Sequence, residues 1–293
     1  FVKVVYEAFP QTIPPERHSI FQSMKHRTLF LGLGSLLLAS CSSTKQIASP
    51  ETICREKFAQ AQSAFERERD ADAQEKLKDL TVACYGYDFQ EKAQYMLAQS
   101  YYRTEQWPEA ETEFRLLREQ FERTAYAEEA LYKIAHSGYQ QATTWDRDPS
   151  PTLDAMRKFN EYLNDFPQGK WSAEVKKDYQ ELDGRLATRA YKTAKLYIRL
   201  DEPLSATIYF NKLLKEHPGW ELNNEAQVEL AVAYARMDQF EQARTTLSAL
   251  DSTEDKAKLA PLVKDAHKTI ASLEKSFQKK REREAEGYRT GFF

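Results

Sequence analysis

Between residues 52 and 252 one spacing of small and large positions recurs five times. An alanine is followed by a second alanine twelve residues on and by a large apolar residue four later. An alanine or aromatic residue often sits three after the first. The first segment carries Ala61, Ala73, Leu77 and Leu80, and the second Leu97, Ala98, Tyr101, Ala110, Phe114 and Leu117. The third has Ile134, Ala135, Ala155, Phe159 and Phe166, with eight extra residues between its alanines. The fourth has Ala194, Tyr197, Ala206, Phe210 and Leu213, and the fifth Leu230, Ala231, Tyr234, Ala243, Leu247 and Leu250. Steps of three and four keep such positions on one helix face. Small residues belong where two helix backbones approach, and large ones fill the space beside them. Each segment therefore predicts two helices joined by a turn, the first pair over about 52–67 and 71–84 with its turn near Asp70. A last helix over about Ser252–Ala285, with Leu259, Leu262, Val263, Ala266, Ile270, Leu273 and Phe277 at helical spacing, closes the open end. The "QKKREREAE" run that follows reads as a solvated helix end and "GYRTGFF" as a loose tail.

The pattern resembles the tetratricopeptide repeat, a helix–turn–helix unit of about 34 residues. A single unit cannot bury its apolar face, so the units stack into a superhelix. The fold class is all-α: five helix–turn–helix repeats over 52–252, and a C-terminal capping helix and tail over 253–293. In such arrays the first helix of each pair lines the inner surface. Its exposed positions fall on Phe58, Tyr95, Tyr132 and Tyr191, and two turns further on Phe65, Tyr102 and Tyr139. Gln62, Gln99 and His136 lie between, and Arg103 follows Tyr102. An aromatic trough with sparse polar groups suits an extended, aromatic-bearing peptide. About half of these rings are expected to pack between neighbouring repeats instead.

Charge and composition narrow the partners. The chain is 30% charged, with a net charge of −3. Lys3, Arg17, Lys25 and Arg27 outweigh Glu7 and Glu16 in the first 40 residues, which leaves −5 on the rest. An acidic body is a poor match for nucleic acid. Only nine glycines are present, against a Gly-loop nucleotide binder. His136, His217 and His267 are widely separated and form no metal-ligand spacing. The carboxylates scatter over helix surfaces. No enzyme, cofactor or metal is expected.

One run departs from this polar background: "TLFLGLGSLLLASCSST", residues 28–44. Its apolar part is far shorter than the ~20 residues a membrane span needs. Lys25, His26 and Arg27 precede it and small residues follow, the layout of a secretory signal. "LAS-C" at Leu38–Cys41 resembles the lipobox of bacterial lipoproteins, which implies cleavage before Cys41 and acylation of that cysteine. Several acyl chains, at about 0.8 kcal/mol per buried CH₂, anchor a protein stably. Ser42, where an aspartate would mark inner-membrane retention, implies sorting to the outer membrane. Residues 24–40 are thus read as leader and 41–51 as tether. Residues 1–23 are read as an extension from a misplaced start, with a functional pre-segment as the alternative. Cys54 and Cys84 lie at one end of the first predicted hairpin. They are either bridged, as a secreted context permits, or two small buried residues.

The third segment adds specificity. Asp146-Arg147-Asp148-Pro149, Ala155, Phe159, Leu163, Phe166-Pro167, Arg185-Leu186-Ala187, Ala194 and Tyr197 are similar to the middle of the BamD family, tetratricopeptide lipoproteins of the β-barrel assembly machine. The resemblance implies a scaffold without catalysis. Its C-terminal half would bind the periplasmic POTRA region of a BamA-type barrel protein. Its N-terminal repeats would receive unfolded outer-membrane proteins through aromatic-rich β-signals, alongside other assembly-machine lipoproteins, at the periplasmic face of the outer membrane. The peptide site is then Phe58, Tyr95, Gln99, Tyr102, Arg103, Tyr132, His136 and Tyr139. The partner site is Trp145, Asp146, Arg147 and Asp148 of the insertion, with Lys195 and Arg199. Asp148 has a plainer role open to it, assisting Ser150 as N-cap of the next helix. Where family members usually carry a glutamate three residues after Arg-Leu-Ala, this chain has Ala190, so no contact is assigned there. A tetratricopeptide lipoprotein that scaffolds peptidoglycan enzymes is the rival reading.

Overall fold

The computed structural model describes residues 48–253 and 256–290, all within one unit, Ala48–Phe293. The upstream extension, the leader, Cys41 and the first part of the tether lie outside the described residues, as do the last three residues of the tail. Among the described residues eleven α-helices follow one another: α1 (Pro50–Glu66), α2 (Asp70–Ala83), α3 (Gln90–Arg103), α4 (Trp107–Gln120), α5 (Ala127–Gln141), α6 (Ser150–Asp165), α7 (Ser172–Arg199), α8 (Pro203–Glu216), α9 (Asn223–Arg236), α10 (Phe240–Ser248) and α11 (Lys256–Thr290). A short 3₁₀ turn, Ala249–Ser252, precedes α11. Each helix packs on the next, and the first helices of neighbouring pairs also touch, α1 with α3, α5 with α7 and α9 with α11. The result is the tetratricopeptide-like stack: five hairpins and a closing helix.

Local chemistry fixes the ends. Ser49 caps α1, its hydroxyl accepting from the Thr52 N–H at 3.1 Å, with Pro50 at the first helical position. Pro203 opens α8 in the same way, and Pro108 and Pro151 stand second in α4 and α6. Four of the five hairpin turns share one C-cap. Glu68, Glu105, Asp201 and Asp238 adopt φ of 55°, 58°, 57° and 61°. The following residue donates its N–H five residues back, as in Arg69 to the Ala64 carbonyl and Gln106 to the Tyr101 carbonyl, both at 3.0 Å. This is the Schellman arrangement, with an acidic residue where glycine is usual. The third hairpin lacks it. There α5 ends at Gln141, Ala142 is extended, and the eight extra residues form a loop.

The skeleton alanines of all five repeats are fully buried, from Ala61 and Ala73 to Ala231 and Ala243. Phe114, Phe159 and Phe210 fill the space beside them. Two features depart from expectation. The helix of the fourth repeat is 28 residues long. Its first half, with Val175 and Leu182, serves the third repeat's core, and its second half, with Ala187 and Ala194, serves the fourth's. The closing helix runs on to Thr290, so the segment expected as a loose tail is helical over 287–290. Its first half, through Leu259, Ala266 and Ile270, covers α9 and α10.

Cys54 on α1 and Cys84 after α2 are joined by a disulfide across a Cα–Cα distance of 5.7 Å. The bond ties together the two free ends of the first hairpin.

Candidate functional site

The face built from α1, α3, α5 and α7 carries the aromatic positions named above, and most of them are already engaged. Phe58 stacks on Phe89 with ring centroids 4.7 Å apart, Tyr95 on Tyr126 at 3.9 Å, Tyr132 on Trp171 at 4.9 Å, and Tyr191 lies 5.3 Å from Trp220. Each partner belongs to the segment that leads into the next first helix. These pairs are the joints between repeats. Tyr132, read from the spacing as exposed, is buried, and Phe58, Tyr95 and Tyr191 are half-buried. The spacing located the rings, but their partners stand on segments outside the alanine skeleton.

The second row stays closer to the surface. Tyr102 shares a hydrogen bond with His136 Nδ1 at 2.7 Å, and Trp107, a residue the spacing did not single out, packs edge-on against Tyr102 at 5.4 Å. Tyr139 donates to Glu181 at 2.8 Å, and Tyr132 donates to Glu174 at 2.9 Å. Beneath them Lys133 is buried, donates to Gln99 at 2.5 Å, and lies 4.2 Å over the Tyr102 ring. Arg103 pairs with Asp70 at 3.0 Å and covers the Phe65 ring at 4.1 Å, which binds the first repeat to the second. Gln62 donates to Glu66 within α1.

The electrostatics follow from burial. Burial raises the Tyr102 and Tyr139 hydroxyls to about 12, helped at Tyr139 by the hydrogen bond to Glu181. It lowers His136 and Lys133 below their ordinary values. Glu174, Asp178 and Glu181 form an acidic line along α7, and burial together with these neighbours raises the Asp178 carboxyl. The half-exposed centre of the face is thus a floor of Tyr102, His136 and Tyr139 edged by carboxylates. It can hold an extended chain through ring contacts and hydrogen bonds, and it favours cationic groups along the α7 side.

The insertion between α5 and α6 is pinned to α7 by two arginines. Arg185 donates to the Ala142 and Thr143 carbonyls at 3.2 and 3.5 Å, and Arg189 to the Trp145 and Arg147 carbonyls at 3.1 and 2.5 Å. Trp145, Asp146, Arg147 and Asp148 are left exposed at its crest. The Thr144 hydroxyl donates to Asp146 and holds its carboxyl below the ordinary value. Asp148 accepts from the Ser150 N–H at 3.2 Å and the Ser150 hydroxyl at 3.0 Å. Ser150 is therefore the first residue of α6, and its hydroxyl caps no helix N–H. Lys195 is not a free cation: it pairs with Glu229 of α9 at 2.8 Å. Arg199 is exposed at the end of α7. Behind the insertion a 510 Å³ groove opens between α6, α7 and α8, lined by Leu153, Ala190, Arg189 and Tyr209 among others.

The repeats and this insertion coincide with a known pattern. A family model for YfiO, the outer membrane lipoprotein, matches residues 50–250, from the first residue of α1 to the end of the fifth hairpin. The chain belongs to the YfiO family, which is the BamD family. A search of curated proteins finds no match. The YfiO match covers both the aromatic face and the pinned insertion, and it places the chain among outer membrane lipoproteins. No helix among the described residues is long and apolar enough to cross a membrane.

Proposed function

We propose that this protein is a lipid-anchored scaffold of the β-barrel assembly machine, tethered through Cys41 at the periplasmic face of the outer membrane. It grips unfolded outer-membrane proteins on the aromatic face of its first three repeats. It holds a BamA-type barrel protein by its POTRA region around the insertion and the end of α7. What carries the reading is the family match over all five hairpins. Two further observations support its parts. The Tyr102–His136–Tyr139 floor leaves ring surface and hydrogen-bonding atoms beside an acidic edge, a surface suited to aromatic β-signals. The Arg185 and Arg189 contacts hold Trp145–Asp148 in one conformation before any partner arrives, which lowers the ordering cost of docking.

The test has two arms. Pull-down of the full chain from detergent-solubilised membranes recovers a BamA-type barrel protein; recovery of wall hydrolases without it turns the assignment to peptidoglycan scaffolding. Tyr102→Ala combined with Tyr139→Ala weakens binding of a β-signal peptide by about tenfold in fluorescence anisotropy. Unchanged affinity removes the peptide site from this face.

A further inference from the structure

A second cleft lies beyond the aromatic floor, where the fourth repeat begins. Its volume is 580 Å³, within the range of ligand pockets. Its floor is a stripe of α7 at helical spacing, Gln180, Gly184 and Thr188. Its two walls are loops that each present an indole, Trp145 from the insertion and Trp220 from the turn between α8 and α9. Gly184 is the notch in the stripe. A Cβ built there meets nothing closer than Trp220 Cδ1, at 3.9 Å. Glycine mid-helix is destabilising relative to alanine. No packing contact demands glycine here, yet the helix carries it at the middle of the floor, between Gln180 and Thr188.

The charges around the cleft are mostly committed. Arg185 is engaged by Glu181 and the insertion carbonyls, and Asp183 pairs with His217 at 2.7 Å. Glu221 on the rim is exposed and has no hydrogen bond or ion pair among the described residues, and the Gln180 amide is likewise uncommitted. A narrow groove along a helix, with aromatic walls and one free carboxylate, fits a single extended polypeptide with an apolar side chain over Gly184 and a lysine or arginine beside it. A folded domain would rest on the loop crests without reaching the floor. The cleft also adjoins the first floor directly, since Glu181 and Arg185 line it and both contact Tyr139.

We propose that the Trp145–Trp220 cleft is a second subsite for unfolded polypeptide, selective for a basic residue next to an apolar one. It extends the track from the first three repeats into the fourth. This rests on the reading that the chain takes up unfolded outer-membrane proteins.

Gly184→Leu tests it in the full chain. The substitution raises helix propensity and its Cβ makes only ordinary contact with Trp220, so the melting temperature does not fall while the cleft is filled. Binding of a labelled synthetic peptide with alternating aromatic residues and one lysine weakens by about tenfold. Glu221→Gln, which removes an exposed and unpartnered carboxylate, leaves the fold intact and abolishes the preference for that peptide over its lysine-to-glutamate counterpart. Unchanged affinity in Gly184→Leu, or an unchanged preference in Glu221→Gln, overturns the subsite. Loss of the barrel partner with the peptide still bound also overturns it. If the Tyr102/Tyr139 double variant and Gly184→Leu both bind peptide as the parent does, the broader reading falls. If only Gly184→Leu does, the cleft alone falls.

Discussion

Glu68, Glu105, Asp201 and Asp238 show how a single residue can set the angle between two helices while contributing nothing to the core. Each sits in the left-handed region, which costs an L-residue roughly 1–2 kcal/mol relative to glycine. Glu105 is exposed. Glu105→Gly therefore raises stability by about 0.5–1 kcal/mol, the relief being partly offset by the extra freedom of the unfolded chain. Urea denaturation measures it, and a lower midpoint contradicts the assignment of strain to this turn. At this scale the alanine skeleton was fully legible, because a close helix crossing admits few residue types. The fate of the tyrosines was not. A periodic ring marks a helix face, but only the neighbouring repeat decides whether Phe89, Tyr126 or Trp171 stands against it. The pairing of Lys195 is hidden for the same reason: Glu229, its partner, lies 34 residues away on another hairpin.

At the scale of elements, the first hairpin and α7 solve different problems. Among the described residues no hairpin precedes the first repeat. The Cys54–Cys84 bond closes a loop of 30 residues at its open end. The spacing left that bond open; the hairpin geometry, with both cysteines at one end, makes it possible. Replacing both cysteines by serine removes about 3–4 kcal/mol of unfolded-state restriction. Hydrogen exchange reads the loss as faster opening of α1 and α2, and equal protection in the two forms would refute it. In α7 a single rod spans two cores, so the third and fourth repeats are coupled through helix backbone. Sequence spacing marks the third repeat as longer. It does not show that Arg185 and Arg189 reach back 42–44 residues to fasten the added loop. Arg189 stands next to Ala190, and its guanidinium holds the Trp145 and Arg147 carbonyls.

For the whole molecule, stability is distributed along the stack, each hairpin depending on its neighbours. Ile270 of α11 is buried against α9 and α10. Ile270→Ala costs about 2–5 kcal/mol. In a stack the effect stays local. Amide exchange quickens in α9–α11, and protection in α1–α4 is unchanged. Uniform quickening along the chain would mean that the repeats fold as one cooperative body.

The sequence by itself determined the all-helical class, the number of hairpins, the place of the insertion and the family, because each depends on local periodicity or on short runs of fixed residue type. Only the tertiary structure decided which rings are joints and which are surface, which cations are already paired, and that two loops far apart in the chain wall one cleft over Gly184. Those facts depend on contacts between residues about 30 to 75 positions apart. Side-chain periodicity carries no information about such distances, and the stacking of successive repeats sets them.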